Sequence, residues 1–516
     1  MNKSYFSIAA LVLSATLFSC KSESNPVAYA DSITQDELKE MLYTYASDEY
    51  EGRETGEPGQ KKAIEFIKKH YVDLGISSPI SSDDYYQEVP LQIVKKPEVN
   101  ITANEQTFEY YKDFIAYGTA QSDMINASEI VYAGYGIVDE KYDDYKNLDV
   151  QGKIVIIKAG EPKDKAGNNL LTGDKVASKW NNGRAGIATK RDVAKDKGAK
   201  AVFFMDDEMF NRYAPYYQKR DADDSHKRLS LVSKDKPMHI FLISEAMGKI
   251  LVPSINESVE PSSHTTNISI DYKNITEVMT SENVIAYIPG TEKPEEYIIL
   301  SAHLDHVGVD DEGEVFNGAD DDGSGTVAII EIAEAFKKAA DEGHGPKRSI
   351  VFLHVTGEEK GLLGSRYYTD MDPIFALDKT IANLNIDMIG RTDPKRDSDN
   401  RNYLYLIGSD KLSTELHNIS EEVNQKYTNI EFDYTYNDDN DPNRFYYRSD
   451  HYNFAKNNVP VIFYFNGTHD DYHKISDTAD KIEYDLLENR TKLIFHTAWE
   501  LANRDKTIVA DKAEKE

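Results

Sequence analysis

The chain has 516 residues, is 40% hydrophobic and 11% aromatic, and carries a formal net charge of −31. That length exceeds what one hydrophobic core supports, so two or three folding units are expected, and the apolar content excludes a disordered chain. The acidity is spread along the chain, and such a surface repels nucleic acid and anionic lipid, which excludes both as ligands.

The first twenty residues stand apart. Lys3 supplies a positive start, FSIAALVLSATLF an apolar stretch too short to span a membrane, and LFSC a small-residue site ending at Cys20. Cys20 is the only cysteine, so intrachain disulfides and a thiolate zinc site are both excluded. The pattern resembles the lipobox of a bacterial lipoprotein, in which the cysteine is lipidated and becomes the first mature residue. It implies a signal peptide over 1–19, a polar tether over 20–32, and a protein exported and anchored in a bacterial cell envelope through lipid on Cys20. The competing reading is an ordinary secretory signal with an incidental cysteine.

Residues 33–124 open the main domain. The stretch 34–75 reads as two amphipathic helices around a Gly-rich loop, with Ala63, Phe66, Ile67 and Tyr71 at helical spacing and Gly75 as a C-cap. From 125 to 275 short apolar strands (EIVYAGYGI, GKIVIIKAG, AKAVFFMDD, MHIFLIS) alternate with long polar connections and one helix, AGIATKRDVAKDKG, as in a separate inserted module. From 276 to 505 strands and helices alternate, and the strands are nearly continuous apolar runs. The expected fold is α/β, a mostly parallel central sheet with helices on both faces, plus a β-rich insert. A polar tail, 506–516, ends the chain.

In such sheets, sites gather at the carboxyl ends of the strands. YIILSA is followed by His303-Leu304-Asp305, and the next loop, NGADDDGSGT, holds Asp321. RSIVFLHVT is followed by Gly357-Glu358-Glu359, IANLNI by Asp387, and VPVIFYF by HDDYHKISDT with His473. A lone polar residue at a strand end is commonly a cap or a satisfied side chain; five in register point to metal. The donors are nitrogen and oxygen only, which suits a hard-to-borderline divalent ion, and two imidazoles with several carboxylates suit a zinc pair bridged by one carboxylate.

These motifs resemble those of the co-catalytic dizinc aminopeptidase family, of bacterial zinc-exopeptidase type, whose relatives include glutamate carboxypeptidase, glutaminyl cyclase and the transferrin receptor. The resemblance runs from ASDEYEGRETGEPG near residue 46 to YHKISDTADKI near 482. It implies that His303, Asp321 and Asp387 hold one zinc and that Asp321, Glu359 and His473 hold the other. Glu358 is then the general base, Asp305 orients His303, and Tyr472 hydrogen-bonds the developing oxyanion. The stretch 125–275 resembles a protease-associated domain, from YAGYGI to GAKAVFFMDD. The implied activity is removal of N-terminal residues from peptide substrates by a zinc-dependent hydrolase. A carboxypeptidase, a glutaminyl cyclase-like acyltransferase and a non-catalytic receptor-like module are the rivals.

Neighbouring polar residues take blander readings. His306 is read as a loop residue, His469 as a weaker candidate than His473, and Asp320 and Asp322 as turn residues bonding local amides. The acidic run 437–443, NDDNDPN, lacks the alternation of a calcium loop and reads as a solvated loop.

Overall fold

The sheet that carries the site has nine strands. In the computed structural model, which describes residues 25–222, 228–232 and 236–513, their spatial order is Leu229–Leu231, Tyr86–Val94, Thr276–Ile288, Arg348–Val355, Lys293–His303, Thr380–Ile386, Val461–Phe465, Tyr403–Ile407 and Glu431–Asp433. The signal stretch and Cys20 lie outside the described residues.

The four central strands, from Arg348–Val355 to Val461–Phe465, run parallel. Thr276–Ile288 joins one side antiparallel and Tyr403–Ile407 the other, and the Tyr86–Val94 and Leu229–Leu231 pairings are antiparallel too. The sheet is therefore mixed, which corrects the expectation of a mostly parallel one. The reason is physical: continuous apolar runs report burial on both faces and say nothing of strand direction. Arg348–Val355 also inserts between Thr276–Ile288 and Lys293–His303, two strands consecutive in the chain.

Alternation along each strand loads both faces. Ile298 and Leu300 pack with Leu38, Ile64, Val327, Phe336 and Ile494, which belong to the helices Gln35–Tyr45, Pro58–Leu74, Gly325–Asp341 and Tyr484–Asn503. Ile299 packs on the opposite face with Val351, Tyr368 and Phe454, beneath helices Leu363–Asp370 and His451–Ala455. Each such side chain contributes about 1.5–3 kcal/mol on full burial. This two-sided core holds the strand ends, and hence the site, rigidly.

A second, β-rich sheet of eight strands starts at Glu98–Ala103 and ends at Ser262–Lys273. It has an apolar cluster on each face, one of them covered by helices Gly183–Asp196 and Asp207–Arg220. The second helix follows Asp206, whose side chain accepts from Met209 N. Leu229–Leu231, within the same stretch of chain, leaves this sheet to edge the first one. In the run 437–443, Asp438 and Asp441 accept from the amides of Asn440, Asn443 and Phe445. Among the described residues no helix is long and apolar enough to cross a membrane.

Three histidines of the core create a pH liability. His354 is fully buried with Tyr71 Oη 2.6 Å from its Nε2, and burial pushes it down to about 3. Burial likewise takes His451 to about 3 and His496 to about 4. Unfolded, each titrates near 6.5, so below that value the unfolded chain binds more protons than the folded one. The fold carries no such penalty above about pH 6.5 and loses stability as pH falls towards these values. The midpoint of thermal unfolding should therefore drop between about pH 7 and about pH 5. His354→Gln should be less stable at neutral pH yet show a shallower drop; a slope untouched by the substitution would refute the assignment.

Candidate metal centre

The parallel strands deliver their carboxyl ends to one edge of the sheet. His303 closes Lys293–His303, Glu358 and Glu359 follow Arg348–Val355, Asp387 follows Thr380–Ile386, and Tyr472 and His473 lie in the loop after Val461–Phe465. The acidic loop of residues 317–326 enters this space between glycines. Gly318 has φ +55°, and a Cβ there would lie 2.3 Å from Asp321 O and 2.5 Å from the His306 ring. A Cβ on Gly325 would lie 2.5 Å from both carboxylate oxygens of Asp322. Glycine is what lets the three aspartates fold into so small a volume.

Asp321 stands where two groups of donors meet. Its Oδ1 is 3.1 Å from His303 Nε2, which is itself 3.7 Å from Asp387 Oδ1. Its Oδ2 is 3.0 Å from His473 Nε2, and Glu359 Oε1 is 3.0 Å from the same nitrogen. One carboxylate thus faces both groups, and the five residues expected to bind metal converge as two sets sharing Asp321.

The structure also brings in His306, correcting its reading as a loop residue. The ring has no solvent exposure; its Nδ1 is 3.0 Å from Glu359 Oε1 and 3.7 Å from Asp321 Oδ2. Ligand atoms of His306, Asp321, Glu359 and His473 all lie within 4.8 Å of one another. Sequence spacing hid this residue because His306 follows Asp305 in a loop whose path no periodicity predicts. An available signal was its imidazole, three positions from His303.

The donor set passes a direct test of fit for a cation. His306 Nδ1 and Nε2, Asp321 Oδ2, Glu359 Oε1 and His473 Nε2 are buried and have no hydrogen-bond partner outside this cluster. Orphaned polar atoms are costly unless something fills the space between them. Nitrogen and oxygen donors suit zinc or a neighbouring divalent ion. Without the ion, protons stand in. Although burial opposes it, hydrogen bonds to Asp321 and Glu359 lift His473 to about 10. Burial would raise Glu359, yet His306 and His473 bring it down to about 2. A metal binding here displaces those protons.

Asp322 also approaches His303 and Asp387, but its oxygens accept from the backbone amides of His303, Gly325 and Met388 at 3.0–3.2 Å. It is a brace, and two of its three amides are distant in sequence. Asp320 accepts from Gly390 N at 2.6 Å and faces His469 Nε2 at 3.2 Å. This places His469 behind the bridging loop, outside both donor sets. Asp477 accepts from the amides of Asp320 and Asp321.

Asp305 acts differently from the expectation. His303 Nδ1 lies 2.9 Å from the Asp305 carbonyl oxygen and 4.0 Å from its carboxylate. The imidazole is oriented by the backbone, while the carboxylate accepts from Thr55 Oγ1 at 2.7 Å and Glu358 N at 3.1 Å. The N-terminal segment holds the other side of the site. Arg53, buried and stacked on Tyr45, donates to the carbonyls of Asn317 at 2.7 Å and Gly318 at 2.8 Å. Sequence reading passed over Arg53 and Thr55, which sit in the Gly-rich loop near residue 50.

Glu358 lines the same cleft as Asp321, Asp387 and Tyr472. Burial, reinforced by Glu359 and Asp387 and opposed by His303, holds its carboxyl well above the usual range. Tyr472 stacks on the His473 ring with centroids 4.0 Å apart. Beneath the cleft, burial pushes Asp450 up to about 7 against the opposing charge of His303.

Fold and donors together define the class: an α/β protein with two candidate metal sites at the carboxyl edge of its sheet. Residues 283–498 match the sequence model of peptidase family M28. Relatives include a probable glutamate carboxypeptidase, LAMP1, of Arabidopsis thaliana, 28% identical over 52% of this chain and 41% of that protein. A probable leucine aminopeptidase 2 of Aspergillus oryzae is 26% identical over 58% of this chain and 49% of that protein. Aminopeptidase YwaD of Bacillus subtilis is 26% identical over 40% and 43%. The chain thus spans less than half the length of these relatives. Among solved structures, an aminopeptidase from Aneurinibacillus sp. strain AM-1 is 18% identical, with 95% of this chain and 99% of that chain covered at a TM-score of 0.48.

Titration of the metal-free protein with Zn²⁺ should reveal two sites. His306→Ala should weaken one of them by about 10–100-fold, the range for losing a partner at a metal site, and leave the other unchanged. An unaltered titration would exclude His306 from the donor set.

Proposed function

We propose that the protein is an exported, zinc-dependent aminopeptidase. The observation that carries this reading is the single Asp321 carboxylate facing two donor groups beside a cleft that also holds Glu358 and Tyr472. Relatives named as aminopeptidases support the choice of activity. Two zinc ions would be held by His303, Asp321 and Asp387 and by Asp321, Glu359 and His473, with His306 at the second. When bound, they supply a Lewis acid for the scissile carbonyl and lower the pKa of water.

The chain's own residues handle the protons. Glu358 belongs to neither donor group and keeps a carboxyl in the cleft. It takes a proton from the attacking water as the C–O bond forms, then gives it to the amine nitrogen as the C–N bond breaks. Tyr472 donates its hydroxyl hydrogen to the oxyanion. The Asp305 carboxylate holds the Glu358 amide and keeps this base in place. The α-amine of the substrate pairs with the acidic wall, so a free amine is required. The insert, read as a protease-associated domain over about 125–275, shapes access to the cleft. A lipid on Cys20 tethers the protein to the envelope.

Two adjacent glutamates give the sharpest test. Glu358→Gln should retain two zinc equivalents while kcat falls by about 10²–10⁴, the span of general acid–base catalysis. Glu359→Gln should lose or weaken one zinc, with excess metal restoring activity. Zinc loss in the first variant and full occupancy in the second would reverse the two roles. On peptide reporters, N-acetylation should abolish cleavage; equal hydrolysis of free and acetylated forms would favour the carboxypeptidase reading.

Cys20→Ala should move the protein from the membrane fraction to the soluble one, since the chains on a lipidated cysteine are the expected anchor. A variant that still sediments with membrane would refute that anchor.

A further inference from the structure

The active-site cleft has a charged feature that the proposed chemistry does not use. Its lining combines the carboxylates of Asp321, Glu358 and Asp387 with the rings of Phe445, Phe463 and Phe465, and Arg448 is the cation among its lining residues. The backbone at this point is pinned to the site. Ser449, the next residue, donates to Asp387 Oδ2 at 2.6 Å and accepts from Asn385 Nδ2 at 2.9 Å. The guanidinium lies 4.9 Å over the Phe445 ring and directs Nη2 to Tyr472 Oη at 3.5 Å.

What Arg448 lacks is as informative. Among the described residues it makes no ion pair, although the chain has 90 acidic residues against 59 basic ones. Nearby, Arg391 pairs with Asp471, Arg396 with Glu431 and Asp433, and Arg401 with Glu483 and Asp485, whereas among the described residues Arg366 and Arg444 share with Arg448 the lack of an ion pair, and Arg490 donates to carbonyl oxygens. A guanidinium offers five N–H donors in a planar fork that matches a carboxylate. Here the fork is held by an aromatic ring, aimed into the cleft and left without an anion.

We infer that Arg448 forms a subsite for a carboxylate group of the substrate. This rests on the peptide-hydrolase reading and deepens it: the preferred substrates are short peptides that place an anionic group close to the scissile bond. That group is either the terminal carboxylate of a di- or tripeptide or an acidic side chain. Arg448 acts on selection, since Glu358 and Tyr472 already account for proton transfer and oxyanion binding.

The experiment compares three leucyl substrates: free Leu-Gly, its C-terminal amide, and the amide of Leu-Glu. Each is given to zinc-loaded wild type, Arg448→Ala and Arg448→Lys. The zinc-loaded Glu358→Gln protein, with and without Arg448→Ala, reports binding of the same peptides by calorimetry. Charge-assisted hydrogen bonds of this kind are worth about 10–100-fold. The wild type should therefore favour one carboxylate-bearing peptide over Leu-Gly amide by that factor in kcat/KM. Preference for free Leu-Gly identifies the terminal carboxylate, and preference for Leu-Glu amide identifies the side chain. Arg448→Ala should lower kcat/KM on the carboxylate-bearing peptide by about 10–100-fold more than on the neutral amide, erasing the preference, and Arg448→Lys should restore part of it. Equal wild-type kcat/KM for all three peptides, or an equal loss on all three in Arg448→Ala, overturns the subsite while peptide hydrolysis stands. If no peptide is cut by the wild type or bound by the Glu358→Gln protein, the peptide reading itself fails, and the subsite with it.

Discussion

Crowding carboxylates into one buried corner is the constraint around which the rest of this molecule is arranged. Asp305, Asp320, Asp321, Asp322, Asp387, Asp450 and Asp477 are all buried at or near the same sheet edge. An unpaired buried charge is expensive, so each one needs a stated partner. Asp322, Asp320 and Asp477 take backbone amides, Asp305 takes Thr55 and an amide, and Asp450 accepts from Ser365 Oγ and is lifted towards neutrality by burial. What remains faces inwards: Asp321, Asp387 and Glu359 with the imidazoles of His303, His306 and His473. That remainder is the metal-binding potential of the chain.

The arrangement explains why residues remote from the ligands matter. Among the described residues Arg53 is the buried guanidinium that hydrogen-bonds the bridging loop, and it does so through carbonyl oxygens rather than carboxylates. It therefore sets the loop's path without cancelling the charge needed by a cation. Thr55, from the same segment, fixes Asp305, and Asp305 fixes Glu358. The two helices Gln35–Tyr45 and Pro58–Leu74 and the loop between them are in this sense part of the wall of the candidate metal centre. Its apolar face, with Leu38, Leu42, Ala63 and Ile67, docks it on the helix that follows the acidic loop.

Much of the site was legible because strand ends are a small target. Once apolar runs mark the strands, the residue after each run is nearly forced to the carboxyl edge, which is how His303, Glu358, Glu359 and Asp387 were placed there; Asp321 and His473 lie a loop further on, and Tyr472 was singled out only by the family resemblance. Loops defeated the same reasoning. His306 and His469 are equally good ligand types, yet the fold sends His306 into the centre and His469 behind it, against Asp320. The role of Asp305 was half legible: its position beside His303 was evident, but the contact runs through its carbonyl.

By itself the sequence determined the class of fold, the edge where chemistry gathers and the nitrogen and oxygen character of the donors, because periodicity and residue type are local properties. Strand direction, the insertion of Arg348–Val355 between two chain neighbours and the early start of the second sheet at Glu98 were decided by tertiary structure. So were the docking of Arg53 on the bridging loop and the poise of Arg448 over Phe445. Each of these depends on contacts between residues far apart in the chain, for which no local pattern carries a signal.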